Sequence, residues 1–214
     1  ILSAALIVAL SLLSSSNGVA EVQDQDRTGA PGSAQSCIQC HNQPGAMTAA
    51  SSISITNING DEISTYVAGD TYEVSFNVTS NSAAGYGFQA TSVHPDGSNA
   101  GEFTNPGTSV QLESVNTRHI VEHSSPSSTG IFTATWSAPE SGSGDVDFYI
   151  SGLAANLQSQ QMGDAYNGTS LSLTENTNGI DEIDRLMDQP TVTTHGISIN
   201  APVNGTISIY DLNG

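Results

Sequence analysis

The chain has 214 residues, which is room for one domain of ordinary size with terminal segments. Hydrophobic residues make up 36% and aromatic residues 6%, and Gly, Ser, Thr and Asn crowd the stretches between short apolar runs, so we predict an all-β protein. The 21 acidic residues face three arginines and no lysine, for a formal charge of −18, which excludes binding to nucleic acid or an anionic membrane through a basic patch.

The first segment of the chain has the pattern of an export signal. Ile1 to Leu13 is a short, nearly uncharged apolar run, and serines and Asn17 lead from it to the small residues of Gly18–Ala20. This order is typical of a signal peptide, so residues 1–20 predict export to the cell surface, the medium or the periplasm. A retained hydrophobic segment that acts as an anchor or an assembly helix is the alternative.

Residues 21–50 are predicted to be a linker that carries a haem. Glu21 to Ser36 is polar and has no apolar period, which predicts a flexible tether. The next five residues, Cys37-Ile38-Gln39-Cys40-His41, form a CxxCH motif. Covalent haem attachment needs two thiols spaced for the two vinyl groups and an adjacent histidine for the iron, and CxxCH supplies all three. We therefore expect one haem c, attached through Cys37 and Cys40, with His41 as proximal iron ligand.

Two cysteines spaced in this way also occur in other sites. A zinc ribbon needs a second pair of ligands at similar spacing, and a thioredoxin-like redox site lies at a strand-to-helix junction. Neither context surrounds this motif. Zinc held by Cys37, Cys40 and two scattered histidines, or a plain disulfide between the two cysteines, remain open as alternatives.

An electron carrier usually has a second axial iron ligand, provided by histidine or methionine. We favour His123, because the break at residues 124–130 places it at a strand end where a haem could approach. For any one histidine, a surface or hydrogen-bonded role is the alternative. The candidates for the distal ligand are His94, His119, His123, His195, Met47 and Met162.

Residues 51–175 carry the pattern of a β-sandwich. Apolar and polar side chains alternate along Tyr72–Thr79, which predicts a half-buried strand. About eight short strands separated by Gly, Pro, Asn and Ser turns indicate an antiparallel sandwich with few helices, and the one brief helical period is at Ile180–Met187. The other strands are predicted near residues 53–58, 86–94, 110–114, 118–123, 131–137, 145–151 and 169–173. The predicted inward aromatic residues are Phe76, Phe88, Phe132, Trp136 and Phe148.

Short motifs follow these strands in a fixed order. They are Tyr72-Glu73-Val74-Ser75-Phe76, Gly85-Tyr86-Gly87-Phe88-Gln89-Ala90, Gly101-Glu102-Phe103, Arg118-His119-Ile120-Val121-Glu122-His123, Thr135-Trp136-Ser137-Ala138-Pro139, Gly142-Ser143-Gly144-Asp145-Val146-Asp147-Phe148-Tyr149 and Ala154-Ala155-Asn156. Residues 52–173 thereby resemble the reeler domain, an extracellular β-sandwich of animal matrix and surface proteins and of bacterial secreted proteins. The resemblance implies a reeler-like, immunoglobulin-like antiparallel β-sandwich. In several bacterial members a CxxCH motif precedes the sandwich, and the family's histidine before the Trp-containing strand matches His123.

The end of the chain is predicted to be a separate unit. Residues 176–192 form an acidic, Asn-rich linker that ends near Pro190, and residues 193–214 begin a second, apparently truncated β pattern. The stretch Val203-Asn204-Gly205-Thr206-Ile207-Ser208-Ile209-Tyr210-Asp211-Leu212-Asn213-Gly214 is similar to the first half of the sorting domain of type IX secretion. That similarity implies delivery to the cell surface or the medium.

These patterns lead to two hypotheses about function. The first is an exported monohaem c-type cytochrome in electron transfer, with a partner cytochrome or identical subunits as redox partner and with self-assembly, for example into a filament, through unpaired strands. The second is a surface binding, adhesive or sensor module that contains haem and has a glycan or surface partner. We expect no enzyme, since the chain has no G-x-S-x-G or H-E-x-x-H motif, although peroxidase-like chemistry would follow from a vacant distal site.

Overall fold

Two facing β-sheets form the main unit of this computed structural model, which describes residues 17–41, 45–158, 162–176, 191–193 and 196–198. The strands are β1 (Ala49–Thr56), β2 (Thr65–Tyr66), β3 (Thr71–Ser80), β4 (Gly85–Val93), β5 (Glu102–Thr104), β6 (Val110–Val115), β7 (Arg118–His123), β8 (Ile131–Ser137), β9 (Val146–Ala155) and β10 (Ala165–Glu175). A four-stranded sheet has the order β1-β3-β8-β5, and a six-stranded sheet has the order β2-β10-β9-β4-β7-β6. Neighbouring strands are antiparallel except for the short parallel pair of β10 and β2.

The all-β sandwich that the sequence predicts is confirmed, and alternation is the reason it could be predicted. Along β3 the even-numbered residues from Tyr72 to Val78 are buried, while their neighbours are exposed or partly buried. The predicted aromatic residues form the centre of the core between the sheets, with ring centroids 4.3 Å apart for Phe88 and Phe132 and 4.9 Å apart for Trp136 and Phe148. Stacked and edge-to-face pairs of this kind stabilise a core beyond the area they bury.

The structure also contains elements that the sequence pattern did not indicate. Strands β2 and β5 have two and three residues, too few for a period to be recognised. A second unit, residues 176–214, contains a hairpin of β11 (Thr191–Thr193) and β12 (Gly196–Ser198). The predicted helix at 180–187 and the strand residues beyond 198 lie outside the described residues.

Residues 21–36 are not the flexible tether that their composition predicts, because the segment from residue 17 to residue 41 packs on the six-stranded sheet. It begins with a short helix, α1 (Val19–Gln23), in which Ala20 packs against Val115 and Ile120. The helix extends across residue 20, the predicted end of the signal peptide, so the folded unit includes the last residues of that segment. Further along, Thr28 and Ala30 are buried as well. No helix among the described residues has the length and apolar character to cross a membrane.

Polar contacts with the six-stranded sheet explain why this segment is ordered. The backbone N–H of Arg27 donates to the side-chain oxygen of Gln89. The guanidinium of Arg118 binds Asp26 at 2.9 Å and the carbonyl oxygen of Pro31 at 2.7 Å. Such contacts involve backbone groups and polar side chains, so they leave no hydrophobic period in the sequence.

Glu122 of β7 anchors the start of the segment. Its side chain is fully buried and accepts the backbone N–H groups of Ala20 at 2.9 Å and Glu21 at 3.0 Å. The side-chain amides of Gln89 and Gln111 each donate to the same carboxylate at 3.0 Å. A buried carboxylate needs such donors, because burial without them is costly.

Replacing Glu122 by Gln should therefore release α1 from the sheet. Glutamine has one acceptor oxygen instead of two. Its NH₂ group would point at N–H groups that now donate to the second oxygen of Glu122, so two donors would face each other. We expect the free energy of unfolding to fall by about 1–3 kcal/mol, and amide hydrogen exchange in residues 19–30 to accelerate in the folded protein. Glu102→Gln, at an exposed position of β5, is the matched control and should change neither. Unchanged exchange in Glu122→Gln would contradict the anchoring role.

Candidate functional site

Several strand ends meet the CxxCH motif at one end of the six-stranded sheet. Strand β4 begins at Gly85, which pairs with Ala155 at the end of β9, and β10 begins at Ala165, which pairs with Ala154. Strand β7 ends here too, at His123. Antiparallel order thus brings residues from distant parts of the chain to one edge of the fold.

The motif itself forms a single tight turn. Residues Cys37–Gln39 are a 3₁₀ helix, and the N–H groups of Cys40 and His41 both donate to the carbonyl oxygen of Cys37, at 3.3 and 3.1 Å. Bifurcated bonds of this kind are common at the ends of helices. They keep the two thiols and the imidazole of the motif within one turn of backbone.

The two cysteines are not joined, and their surroundings differ. Cys40 is exposed, whereas the sulfur of Cys37 lies 3.9 Å from the carbonyl oxygen of Ser151 in β9. Burial raises the pKa of the Cys37 thiol to about 12. Redox-active CxxC pairs need a thiolate with a lowered pKa, so this environment disfavours a thioredoxin-like site.

His41 is held by a carboxylate from a distant part of the chain, next to the start of β10. Its Nδ1 lies 2.7 Å from Oδ2 of Asp164, whose side chain is 5% exposed. The second carboxylate oxygen of Asp164 accepts the backbone N–H of Asn156 at 2.9 Å. With Nδ1–H donating to Asp164, the lone pair on Nε2 of His41 is available to a metal.

His123, the predicted distal ligand, is also bound through Nδ1. This atom lies 3.0 Å from the carbonyl oxygen of Phe88 and 3.1 Å from its amide nitrogen. Only the tautomer in which Nδ1–H donates to the carbonyl leaves the Nε2 lone pair for a metal. The ring lies over Gly87, where an added Cβ would be 3.0 Å from Cε1 and 3.1 Å from Nε2. A glycine at this position therefore makes the space in which the ring lies.

An interruption of strand pairing lies beside His123. The pairing of β4 with β7 stops at Gln89 and Glu122, and the next bridge joins Tyr86 to Ser127. Between these two positions β4 has two residues and the partner segment has four, so the partner carries a bulge of two extra residues. Bulges bend a strand and redirect its side chains, often beside functional sites.

The two histidines of the site interact electrostatically. Burial is the main cause that lowers the pKa of His123, and the positive charge that His41 carries when protonated lowers it further. The hydrogen bond with Phe88 and the charge of Glu122 act in the opposite direction. Burial thus favours the neutral form of His123, which is the form that binds a metal.

Apolar side chains are exposed around this end of the sheet. Ile38, between the two cysteines, is 48% exposed, Leu157 after β9 is 55% exposed, and Met162 is 56% exposed. Leu157 adopts a left-handed backbone conformation with φ of 54° and contacts the Gly85 position. Apolar surface left open at a site with two available imidazoles is what a flat, largely apolar porphyrin would cover.

Of the other candidate ligands, Met162 lies at this end of the sheet, where its carbonyl accepts the side-chain amide of Asn156, and the histidines of the described residues lie elsewhere. His94 lies six residues beyond Phe88, about 20 Å along the strand, and bonds to the carbonyl of Asp145 at 3.3 Å. His119, near the start of β7, is at that same far end. Met47 precedes β1, with no contact to His41 described, and His195 lies outside the described residues.

The residues at this end of the sheet fit a haem c. Two unjoined thiols, two imidazoles that use only Nδ1 for hydrogen bonds and an apolar surround are the groups that a covalently attached haem requires. In the part of the chain that the structure describes, no three His, Cys, Asp or Glu side chains form a group that could hold a metal ion. A covalent haem with histidine ligands does not need such a group.

Sequence reasoning missed Asp164 and Asn156. Asp164 is 123 residues away from His41 in the chain, and nothing in its local sequence distinguishes it from the other acidic residues. Gly87 was part of a quoted motif, but its contact with the ring of His123 follows from the bulge. Only the pairing of strands brings these residues to the motif.

Alkylation of the haem-free protein should distinguish the two cysteines. In the folded protein we expect iodoacetamide to modify Cys40 well before Cys37, because the thiolate is the reactive form and the raised pKa of Cys37 suppresses it. A time course followed by peptide mass spectrometry measures both rates. The same protein in guanidinium chloride is the control and should show similar rates. Similar rates in the folded protein would contradict the buried environment of Cys37.

Known proteins similar to this chain occur among solved structures and not among curated proteins. No protein in a search of curated proteins matches the chain. Among solved structures, the human F-spondin reeler domain (fragment 1) is 18% identical with a TM-score of 0.44, covering 63% of this chain and 91% of that domain. The Reelin-N domain of F-spondin is 20% identical, also with a TM-score of 0.44, covering 58% and 86% respectively.

A family model gives the stronger result. The model of the reeler domain matches residues 33–156, which is more than half of the chain and includes the CxxCH motif. The match begins before the first strand and extends to the end of β9. On this match, the chain belongs to the reeler-domain family.

Proposed function

We propose that this chain is an exported monohaem c-type cytochrome that transfers electrons outside the inner membrane. The observation that carries the proposal is the CxxCH turn, whose His41 is held through Nδ1 by Asp164 and so keeps Nε2 for iron. His123, at the end of β7, is the proposed second ligand, since the tautomer in which its Nδ1–H donates to the carbonyl of Phe88 leaves its Nε2 for iron. When bound, the haem supplies reversible one-electron exchange at its iron.

Each residue of the site has a distinct task in this proposal. Cys37 and Cys40 would attach the porphyrin through thioether bonds, and His41 and His123 would hold its iron through their Nε2 atoms. Two histidine ligands favour a lower reduction potential than a histidine and a methionine, because thioether coordination raises the potential. With two histidines on the iron, peroxidase-like chemistry would be disfavoured and the role would be that of an electron carrier, not an enzyme.

The scaffold supports fast electron exchange. His41 is tied to Asp164, and His123 to the backbone of β4, so the ligands are held by strands of one sheet. Ligands fixed in this way need little rearrangement between oxidation states.

A carrier with one haem must pass its electron to a nearby centre, so the proposed partners are another cytochrome or a second copy of this chain. Membership in the reeler family and the export pattern of residues 1–20 favour an extracellular or cell-surface location.

The first test is whether the exported protein carries a covalent haem. Protein secreted from a host with cytochrome c maturation should show sharp low-spin absorption bands in both oxidation states, and it should retain its colour after denaturation and acidic acetone extraction. Cys37→Ala with Cys40→Ala should abolish this retention, because both thioether bonds are lost. A colourless wild-type protein would reject the cytochrome and leave a reeler-type binding module.

The second test concerns the distal ligand. Replacing His123 by Ala should convert the low-spin spectrum to a high-spin one, since the iron loses its sixth ligand, and should allow added imidazole to restore it. His119→Ala is the matched control, on the same strand but at its other end, and should leave the spectrum unchanged. Circular dichroism verifies that both variants are folded. A low-spin, unchanged spectrum in His123→Ala would show that the ligand is another residue.

A further inference from the structure

We infer that Asp164 is a positioning residue for His41 that lowers the reduction potential of the site by accepting the Nδ1–H of its imidazole. This inference rests on the proposed function, because it assigns the residue that tunes the haem iron. The contact joins the CxxCH turn directly to the residue that precedes β10. Nothing else in the described part of the chain gives a side-chain hydrogen bond to His41.

The geometry shows that the carboxylate of Asp164 is built into the fold. Oδ2 lies 2.7 Å from Nδ1 of His41, with side-chain exposures of 5% for Asp164 and 23% for His41. Oδ1 accepts the backbone N–H of Asn156 at 2.9 Å, and the side-chain amide of Asn156 donates to the carbonyl of Met162 at 2.9 Å. The backbone on both sides of the turn between β9 and β10 thereby fixes the direction of the carboxylate.

The charge of Asp164 makes this hydrogen bond different from an ordinary one. Neither arginine in the described residues contacts Asp164, since Arg118 pairs with Asp26 and Arg27 bonds to Gln35 and Gln25. A buried carboxylate without a cation depends on N–H donors, and His41 is its one donor from an imidazole. The bond therefore holds the proton on Nδ1 and keeps the Nε2 lone pair free for iron.

A carboxylate that is hydrogen-bonded to an imidazole changes how strongly this imidazole donates electrons to a metal. A carboxylate that accepts Nδ1–H raises the basicity of the imidazole, so electron density moves toward the metal. The negative charge also favours the oxidised, more positive iron over the reduced form in a site of low dielectric constant. Both effects lower the reduction potential.

The two proposed iron ligands differ in the group that accepts their Nδ1–H. Nδ1 of His123 bonds to a neutral carbonyl, that of Phe88, whereas Nδ1 of His41 bonds to a carboxylate. The stronger electron donation therefore comes from the motif side of the iron. Asp164 is the residue that creates this asymmetry.

The experiment uses the exported haem protein and the variant Asp164→Asn. Asparagine offers one acceptor oxygen, so it cannot satisfy both Asn156 and His41, and it carries no charge. We expect covalent haem to be retained and the midpoint potential, measured by spectroelectrochemistry, to shift to a more positive value. Asp147→Asn is the matched control, because it removes an equal charge from β9 where Asp147 bonds to Ser172, and it should leave the potential nearly unchanged. Asp164→Glu, which keeps the carboxylate, should recover most of the wild-type potential.

A measurement on the wild type does not depend on any variant folding. In the reduced, low-spin protein the Nδ1–H proton of His41 should resonate downfield of that of His123, because its acceptor is a carboxylate. A coloured protein with equal potentials in wild type and Asp164→Asn, or with the His41 proton upfield, overturns the role of Asp164 and leaves the cytochrome intact. A wild-type protein without covalent haem overturns both.

Discussion

The buried carboxylate of Glu122 is the interaction on which the arrangement of the site depends. It collects N–H groups from α1 and from Gln89, so it joins the start of the polar segment to the middle of the six-stranded sheet. The next residue along β7 is His123, which lies beyond the last pair of β7 with β4. Glu122, which binds the start of the polar segment, and His123, the proposed second iron ligand, are therefore adjacent in one strand.

Strand β4 is paired along its whole length on one side and only briefly on the other. It pairs with β9 over nine residues, which holds the glycines of β4 in place. With β7 it pairs at two positions, and beyond Gln89 and Glu122 the ring of His123 lies against Gly87. A regular strand beside an interrupted pairing leaves room for an imidazole at the edge of an antiparallel sheet.

The acidic composition of the chain has a structural counterpart at the site. With 21 acidic residues and three arginines, most carboxylates cannot have a cationic partner. The two buried carboxylates beside the site, Glu122 and Asp164, are satisfied by N–H donors from backbone, amide and imidazole groups. Over most of the surface the negative charge favours solubility. At Glu122 it binds the start of the polar segment, and at Asp164 it orients the imidazole of His41.

The sequence by itself determined the strands, the aromatic core and the CxxCH turn, because alternation and motif spacing act over a few residues. Long strands such as β3 were predictable, whereas β2 and β5 were too short to show a period. Only the tertiary structure decided that the segment before the motif docks on the sheet, that His123 lies against Gly87, and that Asp164 binds the ring of His41. These contacts join residues far apart in the chain through single polar groups, and polar groups of this kind have no local signature in a sequence.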